Sequence, residues 1–150
     1  MDSRTVEVIR KKLDYLEQTL VEIEPYLRTS YAEYARQSAH RRATERLVQI
    51  IVEIASDTSD LLVQAAWRRA PGSMRESLSA IRDLGVIGDA LFERFNRTYV
   101  GLRNRIVHDY ETLDNRILFE SARRLRKDAL AFLKAVNRYL VSSRKGGNRR

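Results

Sequence analysis

Apolar residues recur at helical spacing along almost the whole chain. Val6, Ile9, Leu13, Leu16, Leu20 and Ile23 follow one another at steps of three and four, a single stripe sustained over about five turns of α-helix. Pro25 comes next, and the pattern predicts that the first helix ends near Glu24-Pro25. A second pattern starts near Tyr31 and runs through Tyr34, Ala35, Ala39, Ala43, Leu47, Ile50, Ile51 and Ile54. It extends toward Trp67, with the polar stretch from Ser56 to Ser59 as the expected point of a kink. Pro71-Gly72 interrupts it, and Ser73-Met74-Arg75-Glu76 reads as a capping box, in which serine and glutamate each satisfy an orphan backbone N–H of the other. A short helix follows to about Leu84 and stops at Gly85. The fourth helix, from about Asp89, sets Leu91, Phe92, Phe95, Tyr99, Leu102 and Ile106 toward the core. Asp114 is placed to cap a fifth, long helix whose expected core face is Ile117, Leu118, Ala122, Leu125, Ala129, Phe132, Leu133, Val136 and Leu140. With no alternating strand pattern between these segments, the expected fold is all-α, an up-and-down antiparallel bundle of four to five helices.

Composition narrows the function without naming it. A chain of 150 residues is one ordinary domain, expected over residues 1–141, with 142–150 as a flexible basic C-terminal tail containing Gly146-Gly147 and Arg149-Arg150. The net charge of +8 favours a polyanionic partner, and the basic residues are 23 Arg against 5 Lys, the type suited to bidentate phosphate contacts. Cysteine is absent, which removes disulfides and thiolate metal sites. Two histidines with no His-Glu cluster at ligand spacing predict no bound metal. Met1-Asp2-Ser3-Arg4 leads straight into an amphipathic pattern and no apolar run approaches membrane-spanning length, so a cytoplasmic location without a membrane partner is expected.

Candidate chemistry concentrates at the end of the fourth helix, in Gly101-Leu102-Arg103-Asn104-Arg105-Ile106-Val107-His108-Asp109-Tyr110. Arg103, His108 and Tyr110 stand at the spacing Arg-x-x-x-x-His-x-Tyr. Arginine offers a planar fork of donors to a phosphodiester, and histidine gives or takes a proton near neutrality. The bland reading has Arg103 solvated, His108 complementing the negative helix end and Tyr110 packed in the core. On an ideal helix Asn104 and His108 share a face, as do Arg103 and Tyr110, while Arg103 and His108 lie about 140° apart around the axis. Arg103 must therefore reach around the helix, the helix must distort near Val107, or a second copy must complete the constellation. Gly101 costs its helix about 1 kcal/mol relative to alanine, so a packing reason for it is expected.

This stretch resembles the signature of the HEPN superfamily, in particular its HepT-like branch of ribonuclease toxins paired with MntA-like nucleotidyltransferase antitoxins. The resemblance rests on Gly101-Leu102-Arg103-Asn104, Val107-His108-Asp109-Tyr110 and Leu113-Asp114. Upstream it includes Glu45-Arg46-Leu47, the Pro71-Gly72 break and Leu84-Gly85-Val86-Ile87, covering the chain to about Val141. It implies a HEPN-like bundle and a metal-independent endoribonuclease acting on RNA, either tRNA or mRNA. In that family the motif tyrosine is the residue the antitoxin adenylylates, and Tyr110 holds that position. ATP and Mg²⁺ would serve the nucleotidyltransferase, so this chain needs no cofactor of its own.

Proton bookkeeping agrees with such an activity. Attack of a ribose 2′-hydroxyl on the adjacent phosphate needs a base for one proton and an acid for the leaving 5′-oxygen. One chain carries one motif histidine, whereas a homodimer would bring two His108 and two Arg103 into one cleft. The expected roles are His108 as acid/base, Arg103 as phosphate clamp and Asn104 as support, orienting either His108 or the phosphate. His40, beside Arg41 and Arg42, reads as a solvated or interface residue, and Arg36, Arg41, Arg42 and Arg46 as either an RNA path or a solvated face. Two other classes fit the same pattern less fully. A non-catalytic HEPN module that binds a nucleotide or partners a nucleotidyltransferase has little need of His108, and a general helical adaptor leaves the net charge unexplained.

Overall fold

The computed structural model describes residues 1–147, and every element among them is helical. Helix α1 spans Ser3–Arg28, α2 Tyr31–Arg36, α3 Ser38–Trp67, α4 Met74–Asp83, α5 Asp89–Arg94, α6 Val100–His108 and α7 Asn115–Gly147. One turn of π-helix, Phe95–Tyr99, joins α5 to α6, and a 3₁₀ turn, Tyr110–Thr112, follows α6. The architecture is the expected all-α bundle. Helix α3 is its centre, with α1, α4, α6 and α7 all packed against it.

The stripe read from α1 is the one that the fold buries: Ile9, Leu13, Leu16, Leu20 and Ile23 meet Val48, Ile51 and Val52 of α3 and Leu125, Phe132 and Val136 of α7 in one core. Each such side chain contributes about 1.5–3 kcal/mol on leaving water, enough to hold helices whose exposed faces are strongly charged. The first helix does not stop at Pro25 but continues to Arg28. Pro25 forfeits one bond, to the carbonyl of Val21 on the exposed side of the helix, and buried Leu27 holds the turn beyond it.

The second pattern breaks where no kink was expected. Gln37 leaves helical geometry between α2 and α3, whereas Ser56 to Ser59 continue α3 without interruption. Ser56, Thr58 and Ser59 are buried, and Ser59 Oγ bonds back to the Ala55 carbonyl at 2.7 Å, so these polar residues serve as small packing residues. The capping box is half formed. Ser73 Oγ accepts the Glu76 N–H at 3.1 Å, but Glu76 reaches past Ser73 to the Gly72 N–H at 2.6 Å. Gly85 ends α4 with φ 78°, and the Val86 N–H returns to the Ile81 carbonyl at 2.9 Å, closing the helix end as expected.

Asp114 caps α7, accepting the Ile117 N–H at 2.9 Å. Ile117 itself, read as core, is 52% exposed, and its place inside belongs to Phe119. Leu118 to Leu140 otherwise face inward as predicted. Where the domain was expected to end at Val141, helical backbone runs on to Gly147, with Ser142 to Gly146 exposed; Arg149 and Arg150 lie outside the described residues.

Candidate functional site on helix α6

Of the three routes left open by helix geometry, distortion near Val107 is not taken, and the irregularity lies upstream of the motif. It is the π turn Phe95–Tyr99, not Val107, and α6 is regular from Val100 to His108. Phe95 and Tyr99 are both fully buried and meet edge to face, with ring centroids 5.0 Å apart. The Tyr99 hydroxyl donates to buried Asp128 of α7, which also accepts Arg94 Nε at 2.9 Å. Burial and the Asp128 carboxylate push the Tyr99 phenol up, so it stays protonated and keeps donating. From α4, Arg75 donates to the Asn96 carbonyl inside the turn and to its Oδ1 at 2.8 Å. These bonds fix the rotation with which α6 leaves the turn.

That rotation sends Arg103 toward α3. Its Nη2 meets Glu53 Oε1 at 2.9 Å, its Nε meets the same oxygen at 3.3 Å, and Gln49 Nε2 also donates there at 3.0 Å. Burial alone would raise the Glu53 carboxyl. The bonds from Gln49 and Arg103, with the charges of Arg103 and Arg46, outweigh it and hold the group below its ordinary range. Arg103 is 25% exposed and Glu53 35%, so the pair sits in the wall between α3 and α6.

Glu53 was absent from the sequence reading. Its signal was a carboxylate inside Ile50-Ile51-Val52-Glu53-Ile54, an otherwise apolar run at the middle of a long helix. Asn104, expected to orient His108 or a phosphate, accepts Arg103 Nη1 through Oδ1 at 3.4 Å. His108 is exposed in the last turn of α6, on the face it shares with Asn104. Tyr110 does not continue the helix: Asp109 ends α6, and the 3₁₀ turn carries Tyr110 outward, 56% exposed rather than packed in the core. A Cβ built on Gly101 meets nothing within 4 Å, so the packing reason expected for this glycine does not lie within the described residues.

The arginines of α2 and α3 divide. Arg36 pairs with Glu33, Arg41 donates to the Ala35 carbonyl and Arg42 meets Glu45 at 3.0 Å, while exposed Arg46 makes no ion pair or hydrogen bond among the described residues. Of the two readings of His40, solvated or interface, the solvated one does not hold, because the residue is half-buried. Its ring meets Tyr26 edge-on at 5.3 Å, and Nδ1 is buried without a hydrogen-bond partner among the described residues.

Comparison with known proteins bears on this arrangement. A family model described as ribonuclease HepT-like matches residues 5–136, most of the chain and all of the motif. The chain belongs to the ribonuclease HepT-like family. Among curated HepT relatives, the tRNA nuclease HepT of Aphanizomenon flos-aquae is 23% identical over 138 residues, covering 90% of this chain and 91% of the relative. The HepT-like fold recurs in the tri-AMPylated HEPN toxin of Shewanella oneidensis, solved in complex with MNT antitoxin, with a TM-score of 0.79 at 19% identity over 91% of this chain and 98% of that one. It recurs again in YutE, a cytosolic protein of unknown function from Bacillus subtilis, with a TM-score of 0.78 at 19% identity over 91% of each chain. No helix among the described residues is long and apolar enough to cross a membrane.

Proposed function

We propose that this HepT-like chain is the toxin of a toxin-antitoxin pair, an endoribonuclease that cleaves RNA without a metal ion. The observation that carries this reading is the exposed His108 on the same regular helix as an Arg103 fixed in place by Glu53, in a chain of ribonuclease HepT-like sequence. The ribose 2′-oxygen attacks phosphorus, an imidazole takes its proton, and the bond from phosphorus to the 5′-oxygen breaks as a second imidazole protonates it. The products are a 2′,3′-cyclic phosphate and a 5′-hydroxyl. Arg103 bears the charge that builds on the phosphoryl oxygens.

Two imidazoles require two chains, and the geometry supports that count. Arg103 is drawn to α3 instead of reaching around α6, and α6 is undistorted between Arg103 and His108. Of the three routes to a complete site, the second copy remains. A two-fold homodimer joined over the face of half-buried Gly101 and exposed Asn104 and His108 would set both histidines in one cleft.

Regulation follows from Tyr110. The relative from Shewanella is tri-AMPylated and bound to its antitoxin. An MntA-like partner would use ATP and Mg²⁺ of its own: the Tyr110 hydroxyl oxygen bonds to the α-phosphorus, pyrophosphate leaves and the phenolic proton passes to the partner. The attached phosphodiester would then occupy the anion site beside Arg103 and His108.

Wild-type and His108→Ala proteins, incubated separately with total RNA and with unfractionated tRNA, test the reaction. Cleavage should fall by at least about 100-fold in the variant, the upper part of the range for a lost general acid or base. Equal cleavage by both contradicts the assignment. After co-expression with the nucleotidyltransferase, mass spectrometry should find adenylate on Tyr110, and the modified protein should be inactive.

A further inference from the structure

The Glu53 carboxylate lies outside the motif, yet among the described residues it is the only hydrogen-bond partner that a motif side chain has on another helix. We infer that Glu53 is a positioning residue for RNA cleavage, holding the inner edge of the Arg103 guanidinium so that its outer edge faces the scissile phosphate. This rests on the ribonuclease reading above.

A guanidinium presents its N–H groups in one plane, and Glu53 Oε1 takes only the edge formed by Nε, at 3.3 Å, and Nη2, at 2.9 Å. Nη1 has just the 3.4 Å contact to Asn104. The outer N–H of Nη2 and those of Nη1 are the donors a phosphate needs for a two-point contact. An unheld arginine would spend most of its time in other rotamers, whereas Glu53 is itself anchored by Gln49 at 3.0 Å on the central helix.

The carboxylate does not cancel the site's attraction for anions. Arg46 lies seven residues before Glu53, two turns along the same face of α3, exposed and unpaired among the described residues. An arriving phosphate therefore meets two cations against one carboxylate. Were Glu53 instead a competitor that keeps phosphate off Arg103, its removal would tighten RNA binding and speed cleavage. The two roles differ in sign.

The experiment compares wild type, Glu53→Ala, Glu53→Gln, Glu53→Asp and His108→Ala in single-turnover cleavage of unfractionated bacterial tRNA, with thermal unfolding of each. Glu53→Ala should be about 30–100-fold slower at saturating RNA, with half-saturation changed less than about threefold, as misplacing a catalytic group without removing it does. Glu53→Gln keeps an acceptor oxygen in the same place and should recover to within about fivefold of wild type. Glu53→Asp, charged but shorter, should remain at least about tenfold slow, and this comparison stands even where the alanine variant fails to fold. The Arg103 Nε–H resonance, visible in wild type and in Glu53→Gln, should be lost in Glu53→Ala. Wild-type rates in all three Glu53 variants, with His108→Ala inactive, overturn the role of Glu53 and leave the ribonuclease reading in place. Faster cleavage or tighter binding in Glu53→Ala also overturns it, in favour of competition. Undiminished cleavage by His108→Ala removes the reaction, and this inference falls with it.

Discussion

At the scale of single residues, the site is a set of charges whose balance depends on one carboxylate. The Glu53 carboxyl titrates below its ordinary value of 4.5 because Gln49, Arg103 and Arg46 outweigh its burial. A depressed carboxyl stabilises the fold fully above the unfolded value, and that stability is lost as pH falls through the lower folded value. The gap in unfolding free energy between wild type and Glu53→Gln should therefore be constant above about pH 5.5 and shrink below about pH 4.5, as measured by urea unfolding at each pH. A gap that widens in acid would mean the ion pair is not formed. The motif side chains were legible because their chemistry is unusual at that spacing: two histidines in the whole chain, one of them five residues after an arginine. Glu53 was not, since its meaning comes from Arg103, 50 residues away, and only the packing of α6 on α3 brings them together. The half-burial of His40 was hidden for the same reason, because its neighbour Tyr26 belongs to another helix.

Whole elements were easier to read than their irregularities. Periodicity predicted the α1, α3 and α7 core faces, because burial repeats every turn and leaves many independent marks. It missed the π turn, whose single extra residue per turn is smaller than the scatter of the pattern, and it ended α1 early by giving one proline too much weight. Two substitutions separate what the π turn and the motif helix do. Tyr99→Phe leaves buried Asp128 with Arg94 alone and should lower unfolding free energy by about 1–3 kcal/mol, with cleavage within about threefold of wild type because Arg75 on Asn96 and Arg94 on Asp128 still hold the rotation of α6. Gly101→Ala should act in the opposite sense. Inside this chain a methyl group there meets open space, so helix propensity should raise stability by about 0.5–1 kcal/mol, while cleavage falls at least about tenfold because a second protomer needs that surface clear. Urea unfolding and single-turnover cleavage of the two variants check both signs. A Gly101→Ala protein that is stabilised and fully active would place the second copy elsewhere.

For the molecule as a whole, the proposed reaction asks that a bundle with +8 net charge and an exposed His108 act as a nuclease through a cleft shared by two copies. On that proposal the single chain would supply one proton carrier and one clamped guanidinium, half of what the 2′-oxygen and 5′-oxygen require between them. Fold class and family were within reach of the sequence, since an amphipathic helical pattern and a compact motif are both local properties. The proposed assembly rests on elimination: Glu53 holds Arg103 on α3, and α6 runs straight to His108. The most direct measurement is tRNA cleavage by a purified mixed dimer, carrying two different tags, in which one protomer is wild type and the other His108→Ala. If both imidazoles serve one phosphate, the mixed dimer should retain less than about a tenth of wild-type activity, in line with loss of a general acid or base. Half of the wild-type rate would mean that each protomer cleaves alone, which contradicts the shared cleft.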